Sequence, residues 1–454
     1  MPALSALRDL MEGVIPSTVA TCAPDGTPNV SYVSQLHYVD EAHVALSFQF
    51  FSKTRANVLA NPRATVLALH PETGAQYRFD VEYLRTETRG PLFERMKAKL
   101  AGIASHEGMS GVFRLQGSDV YRVLGIERVP GVELAPPPRP SLLPAVREVI
   151  ERLVRCTDLA ALLDELLSAL DTSLRIHHAM VLLTEGDGDR LYTVASRGYE
   201  HSGVGSEIGF GDGVIGVAAQ ARTPVRITHA AVEYSYGRAI REGAQAGGMG
   251  DALTPQIPFP GLAESGSQLA VPIAVGTQLI GVLYVESPDE KRFRYDDEDA
   301  LVAIAASLGL AIRLQQQGQE RDDEARAGAL PSPSPAGSAV TIRHYTGHDS
   351  VFVDDDYLIK GVAGAILWKL LREHADGRRS EFTNRELRLD PAIRLPELSE
   401  NLEARLILLQ RRLSERCASI RIEKTGRGRF RLAVTRPLRL VETGDGVTPV
   451  PPPA

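Results

Sequence analysis

Apolar and polar positions alternate with period two through residues 19–23 and 29–39, on either side of Pro24-Asp25-Gly26-Thr27. That spacing predicts a β-hairpin with Asp-Gly at its tip, after a short amphipathic helix over 4–12. A turn at Asp40-Glu41 leads to a strand over 44–51. The run SKTRANVLANPR then turns Val58 and Leu59 inward as a helix that Asn61-Pro62 stops. Helical spacing returns with Val146, Ile150, Leu153 and Val154, and again with Leu159, Leu162, Leu163, Leu166 and Leu170. Strands are expected over 180–184 and 191–196, a short apolar helix over 214–221 and a strand from Val225. SQLAVPIAV and LIGVLYVES read as two strands joined by Gly276-Thr277, before a helix from Tyr295 to about residue 317. Its Leu301, Ile304, Leu308 and Ile312 form one stripe, suited to a partner helix or to the domain's own sheet. Further on, a short strand over 351–353 and an amphipathic helix over 361–375 are expected. Thr383 and Glu386 form a capping box opening a second helix. The longest helix follows Pro396 and buries Leu398, Leu402, Leu406, Leu409 and Leu413. Two strands then flank residues 426–429.

A chain of 454 residues, 43% hydrophobic and 24% charged, has room for about three globular domains. Proline-rich residues 130–140 (PGVELAPPPRP) and the polar, then Pro/Ser-rich, 316–338 have linker composition. The expected division is 1–129, 141–315 and 339–441, with a tail over 442–454 lacking fixed structure. The longest apolar runs, such as 301–310, are too short to span a bilayer, and MPALSALRDLMEG has no secretory pattern. Cys22, Cys156 and Cys417 stand far apart without a CxxC pair. They predict reduced thiols and a cytoplasmic location. No His spacing predicts a metal site, and no nucleophile–base pair or paired carboxylates predict a catalytic centre.

Charge divides the chain unevenly. Residues 340–441 hold 20 Lys and Arg against 14 Asp and Glu, a balance of +6, so the rest of a chain totalling −7 carries −13. Residues 405–439 hold 11 basic residues against Glu415 and Glu423 alone. A basic module that meets an anion is expected, tethered to acidic modules of other function.

Three resemblances give these blocks expected identities within a multidomain α+β chain. Residues 17–63, with the strand ending FQFFSKT and the helix closing in NPR, resemble the FMN-binding split β-barrel of the pyridoxamine 5′-phosphate oxidase superfamily; the likeness continues through 64–69 and 110–126. It implies a flavin phosphate held by Ser52, Lys53 and Thr54, and a ring lined by Val33, Ser34, Phe48 and Gln49, at a dimer interface. Deazaflavin or an empty barrel are the alternatives to FMN. The Arg-rich, Trp-containing substrate segment of the true oxidase is absent after Ile126, so oxidation of pyridoxamine phosphate is not expected.

GDGVIGVAA, SQLAVPI, GVLYVES and the closing LVAIA helix resemble a GAF domain. Such domains hold a small molecule under the segment corresponding to 229–267. The helices and basic hairpin of 339–441 resemble the winged-helix effector domains of bacterial response regulators. By that likeness Arg411 and Arg412 on the long helix, and Lys424, Arg427 and Arg429 on the wing, meet DNA. Ile407 and Leu408 fall on the same outward face of the helix, which suits a protein contact instead.

In this order the modules imply a homodimeric sensor and transcriptional regulator. One alternative is a flavin-dependent oxidoreductase regulated by its GAF domain. Another is a signalling scaffold with a protein-binding C-terminal domain.

Overall fold

The computed structural model describes residues 2–443 except 12–15, 34, 49–52, 107–114, 137, 185–187, 229–258, 323–337, 355, 378, 392, 394–401 and 427. Of 101–106 and 316–322 it describes the backbone only.

The first block forms β1 (Ser17–Cys22), β2 (Pro28–Val33), β3 (Leu36–Asp40), β4 (His43–Phe48), α1 (Lys53–Ala60), β5 (Arg63–Leu69), β6 (Gln76–Glu87), α2 (Pro91–His106) and β7 (Gly117–Val129). The β1–β2 turn is the predicted one, with Gly26 at φ +89° and Thr27 N donating to Asp25 Oδ1 at 2.9 Å. The strand expected over 29–39 is in fact two. β2 and β3 are two residues apart in sequence but lie at opposite edges of an antiparallel sheet of order β2-β1-β5-β6-β7-β4-β3. With its two edges supplied by strands adjacent in sequence, the sheet rolls into a barrel. Val19, Val44, Val66, Phe79 and Tyr121 fill it, with Leu7 and Met11 of the first helical turn (Ser5–Met11).

The middle block contains α3 (Leu143–Val154), α4 (Leu159–Leu174), β8 (His178–Thr184), β9 (Arg190–Arg197), β10 (Glu207–Gly209), α5 (Gly213–Ala221), β11 (Val225–Ile227), β12 (Ser267–Val275), β13 (Gln278–Ser287) and α6 (Tyr295–Asp322). Its antiparallel sheet runs β10-β9-β8-β13-β12-β11. Asp158 caps α4 by accepting from Ala161 N at 2.9 Å. The stripe Leu301, Ile304, Leu308 and Ile312 is buried, and α6 packs on β12, so those residues serve the domain's own sheet. A second α6 stripe stays exposed, with Leu310 at 56% and Leu314 at 69%. The other face of the sheet carries α5, and α2 of the barrel lies against α5 and β11 with Ala98 inside that apolar cluster. Arg8 with Asp299 at 3.0 Å, and Arg294 with Glu72 at 2.5 Å, tie the two domains further.

The last block is more strand-rich than expected. It contains β14 (Val340–Tyr345), β15 (Ser350–Val353), β16 (Asp356–Ile359), α7 (Gly361–Gly377), β17 (Glu381–Thr383), α8 (Asn384–Leu389), α9 (Leu402–Arg416), β18 (Ile420–Gly426), β19 (Arg429–Val434) and β20 (Leu438–Thr443). One sheet runs β16-β15-β14-β20, with β20 parallel to β14, and a second runs β17-β19-β18. The predicted capping box is formed, with Thr383 Oγ1 and Glu386 Oε2 each 3.2 Å from the other's backbone N. Leu402, Leu406, Leu409 and Leu413 are buried as expected; Leu398 lies outside the described residues.

Candidate functional site

In the barrel, α1 packs on the inner side of β1 and β2. Asn57 Nδ2 donates to Thr21 Oγ1 at 3.1 Å, and Val58 is buried. Strand alternation turns Asn29, Ser31 and Val33 toward this helix and leaves Val30 and Tyr32 exposed. Thr54 Oγ1 accepts from Asn29 Nδ2 at 2.9 Å and lies 2.7 Å from Ser31 Oγ. Lys53 beside it is exposed. Two hydroxyls and an amide therefore converge near the helix N-terminus, with Lys53 next in sequence, a donor set that fits a phosphate.

Asn29 and Ser31 were not singled out from sequence, because their partner Thr54 lies 25 and 23 residues away. Of the seven expected cofactor residues, Val33, Phe48, Lys53 and Thr54 gather around α1. Ser34, Gln49 and Ser52 lie outside the described residues.

Arg55 turns away from this cluster. Its guanidinium pairs with buried Asp119, which also accepts from Thr86 Oγ1 at 2.5 Å, and lies 4.3 Å over the Phe48 ring. One face of Phe48 is thus taken by the chain's own cation. Nearby, Gln35 Oε1 and Nε2, His37 Nδ1 and Ser118 Oγ are sealed from solvent without a hydrogen-bond partner among the described residues. Burial, with Lys99, Arg95 and Arg8 close by, lowers the His37 imidazole to about 3, which keeps the ring neutral.

In the middle domain the glycines of 209–216 are a packing device. A Cβ on Gly216 would sit 2.2 Å from the Gly209 carbonyl oxygen, so only glycine lets α5 approach the preceding turn. On that face of the sheet lies buried Glu286, opposite His178 on β8. It accepts from Leu262 N at 3.0 Å and from Tyr284 OH at 3.3 Å, while Phe259 packs edge-on to Tyr284. Burial raises the Glu286 carboxyl above its ordinary range despite these donors. Most of the segment expected to cover a small molecule, 229–258, lies outside the described residues.

The five expected DNA contacts have separate placements. Arg411 donates to Val194 O of β9 at 2.8 Å and to Asp164 of α4 at 2.6 Å, both in the middle domain. Arg412, one position on, is buried and donates to Leu358 O of its own domain at 3.1 Å. Adjacent helical positions point about 100° apart, and the two arginines meet different domains. Lys424 lies 3.7 Å from Asp158 and 3.6 Å from Glu403, Arg429 is half-buried, and Arg427 lies outside the described residues. Ile407 and Leu408, expected on an outward face, are buried at 5% and 3% exposure in a cluster continuous with the middle domain's core.

Comparison with known proteins assigns the first two blocks. A family model for pyridoxamine 5′-phosphate oxidase matches residues 4–123, and a GAF domain model matches 156–313. Among solved structures, an FMN-binding protein from Syntrophomonas wolfei subsp. wolfei is 20% identical. The match covers 28% of this chain and 87% of that one at a TM-score of 0.25. The GAF domain of a phosphoenolpyruvate-protein phosphotransferase from Acinetobacter is 19% identical over 38% of this chain and 94% of its own, at 0.31. Free methionine-R-sulfoxide reductase from Neisseria meningitidis is 18% identical over 41% and 98%, also at 0.31. No curated protein matches. The chain therefore carries a pyridoxamine 5′-phosphate oxidase-like N-terminal domain and a GAF domain, the composition of a multidomain sensor or regulatory protein. Among the described residues no helix is long and apolar enough to cross a membrane.

Proposed function

We propose that this chain is a cytoplasmic, homodimeric sensor in which FMN in the barrel and a small molecule in the GAF domain control DNA binding by a winged-helix-like C-terminal domain. The observation that carries this is the seat of α9: the basic helix of the last domain rests directly on the GAF domain through Arg411. The order of three strands, α7, α8, α9 and a hairpin, with β20 then returning to the first sheet, supports the winged-helix likeness. Asn29, Ser31, Lys53 and Thr54 would hold the flavin phosphate, with Val33 and Phe48 toward the ring. Bound flavin would supply a redox-sensitive chromophore. The exposed α6 stripe supports pairing of two copies.

Equilibrium dialysis against FMN, with absorbance read on the retained protein, tests the barrel; Thr54→Val with Lys53→Ala should abolish retention. A protein that stays colourless with excess FMN defeats that half of the proposal. The oxidase family match over 4–123 favours a second reading, a flavin-dependent oxidoreductase regulated by its GAF domain. FMN-loaded protein that turns over a nicotinamide cofactor would favour it.

A further inference from the structure

The interface between α9 and the GAF domain has a one-sided chemistry. Among the described residues, ion pairs join α9 and the domain around it to the GAF domain with the cation from the C-terminal side: Arg411 of α9 with Asp164 at 2.6 Å, Lys360 before α7 with Glu207 at 3.2 Å and Lys424 of β18 with Asp158 at 3.7 Å. Arg405, itself buried, stacks its guanidinium 4.1 Å over Tyr192 of β9, and Ser202 Oγ donates to Glu415 at 2.5 Å. Positions 405, 408, 411 and 415 fall on one helical stripe, so Leu408 is buried in the same contact. Arg412, seven positions after Arg405 on the same side of the helix, turns instead into its own domain, where it donates to Leu358 O.

The charged part of this contact is weakly held. The Asp164 side chain is 69% exposed and that of Lys424 47%, so water and salt screen both pairs. A nucleic-acid phosphate asks the same things of Arg411 and Lys424 that these carboxylates do.

We propose that the α9 stripe with Lys424 is a shared surface. GAF carboxylates hold it in this state, and the duplex DNA backbone competes for the same cations. This rests on the DNA-binding function proposed above. The docked and DNA-bound states exclude each other, so whatever loosens the GAF contact raises DNA affinity.

The test uses the full chain, a fluorescently labelled mixed-sequence duplex at low salt, and hydrogen exchange across 402–416 without DNA. Asp158→Asn with Asp164→Asn removes two carboxylates and no cation. It should tighten DNA binding about fivefold and speed exchange in α9. Arg411→Ala loosens the same contact, so exchange again speeds up, but DNA binding should weaken several-fold. Wild-type binding that the double variant leaves unchanged overturns the shared surface while the DNA function stands. Tighter binding by Arg411→Ala overturns it too, by removing Arg411 from the DNA contact. No DNA association by any of the three proteins overturns the DNA function and the inference with it.

Discussion

Replacing Arg55 by Ala tests the barrel where its helix is anchored. Arg55 is the charged partner of Asp119, whose side chain is 8% exposed, and deletion leaves Thr86 as the carboxylate's side-chain donor among the described residues. Breaking a buried pair from one side costs about 3–5 kcal/mol, because the remaining charge stays out of water. The surviving Thr86 bond and the 18% exposure of Arg55 place this case near the lower end. Loss of the guanidinium over Phe48 adds about 0.5–1 kcal/mol. A total of about 3.5–4 kcal/mol predicts that amides of β4, β7 and α1 lose several hundredfold in exchange protection, read by mass spectrometry on the full chain. Peptides from the C-terminal domain should not change. Adding Asp119→Asn to the variant should recover most of the loss, since no charge is then stranded. A loss below about fivefold, or one that the second substitution leaves untouched, refutes a charge-based anchor.

Three further outcomes follow from the same physics. The neutral His37 ring, at about 3 in the folded protein against an ordinary 6.5, makes the unfolded chain bind the extra proton between those values. Barrel stability should be intact above pH 6.5 and fall as pH drops toward 3, and His37→Gln should flatten that fall in thermal melts. Glu286 has the opposite sense: its raised carboxyl gives stability that is full below its ordinary range and is lost as pH rises through the raised value. Glu286→Gln should therefore gain on the parent protein with rising pH in calorimetric scans of the GAF domain. Leu310→Glu with Leu314→Glu should convert a dimer to monomer in light scattering without lowering the melting temperature, since both side chains are exposed in the single chain.

Much of this structure was legible where the determinants are local. The Asp25-Gly26 hairpin, the Thr383/Glu386 capping box and the Leu402–Leu413 stripe each depend on residues a few positions apart, and each formed as expected. Legibility failed where distant segments choose. Nothing in 29–39 marks a division into two strands, since neither Gly nor Pro stands between β2 and β3; pairing with distant strands sends the two to opposite edges. β14 finds its parallel partner β20 only about a hundred residues downstream, and such short strands carry too few alternations to declare themselves. The α6 stripe was plain from its spacing, but only packing on β12 decided between sheet and partner helix. Ile407 and Leu408 read as outward from helical spacing alone, but packing within this same chain buries both. Likewise the basic and acidic halves, which suggested an external anion, meet first within the molecule.

The most direct measurement is the affinity of the full chain for labelled duplex DNA, titrated against salt, with and without saturating FMN. A sensor of the proposed kind binds at low salt, loses affinity steeply as salt is added, and binds several-fold differently once FMN is present. DNA binding that is absent at low salt, or identical with and without FMN, contradicts it.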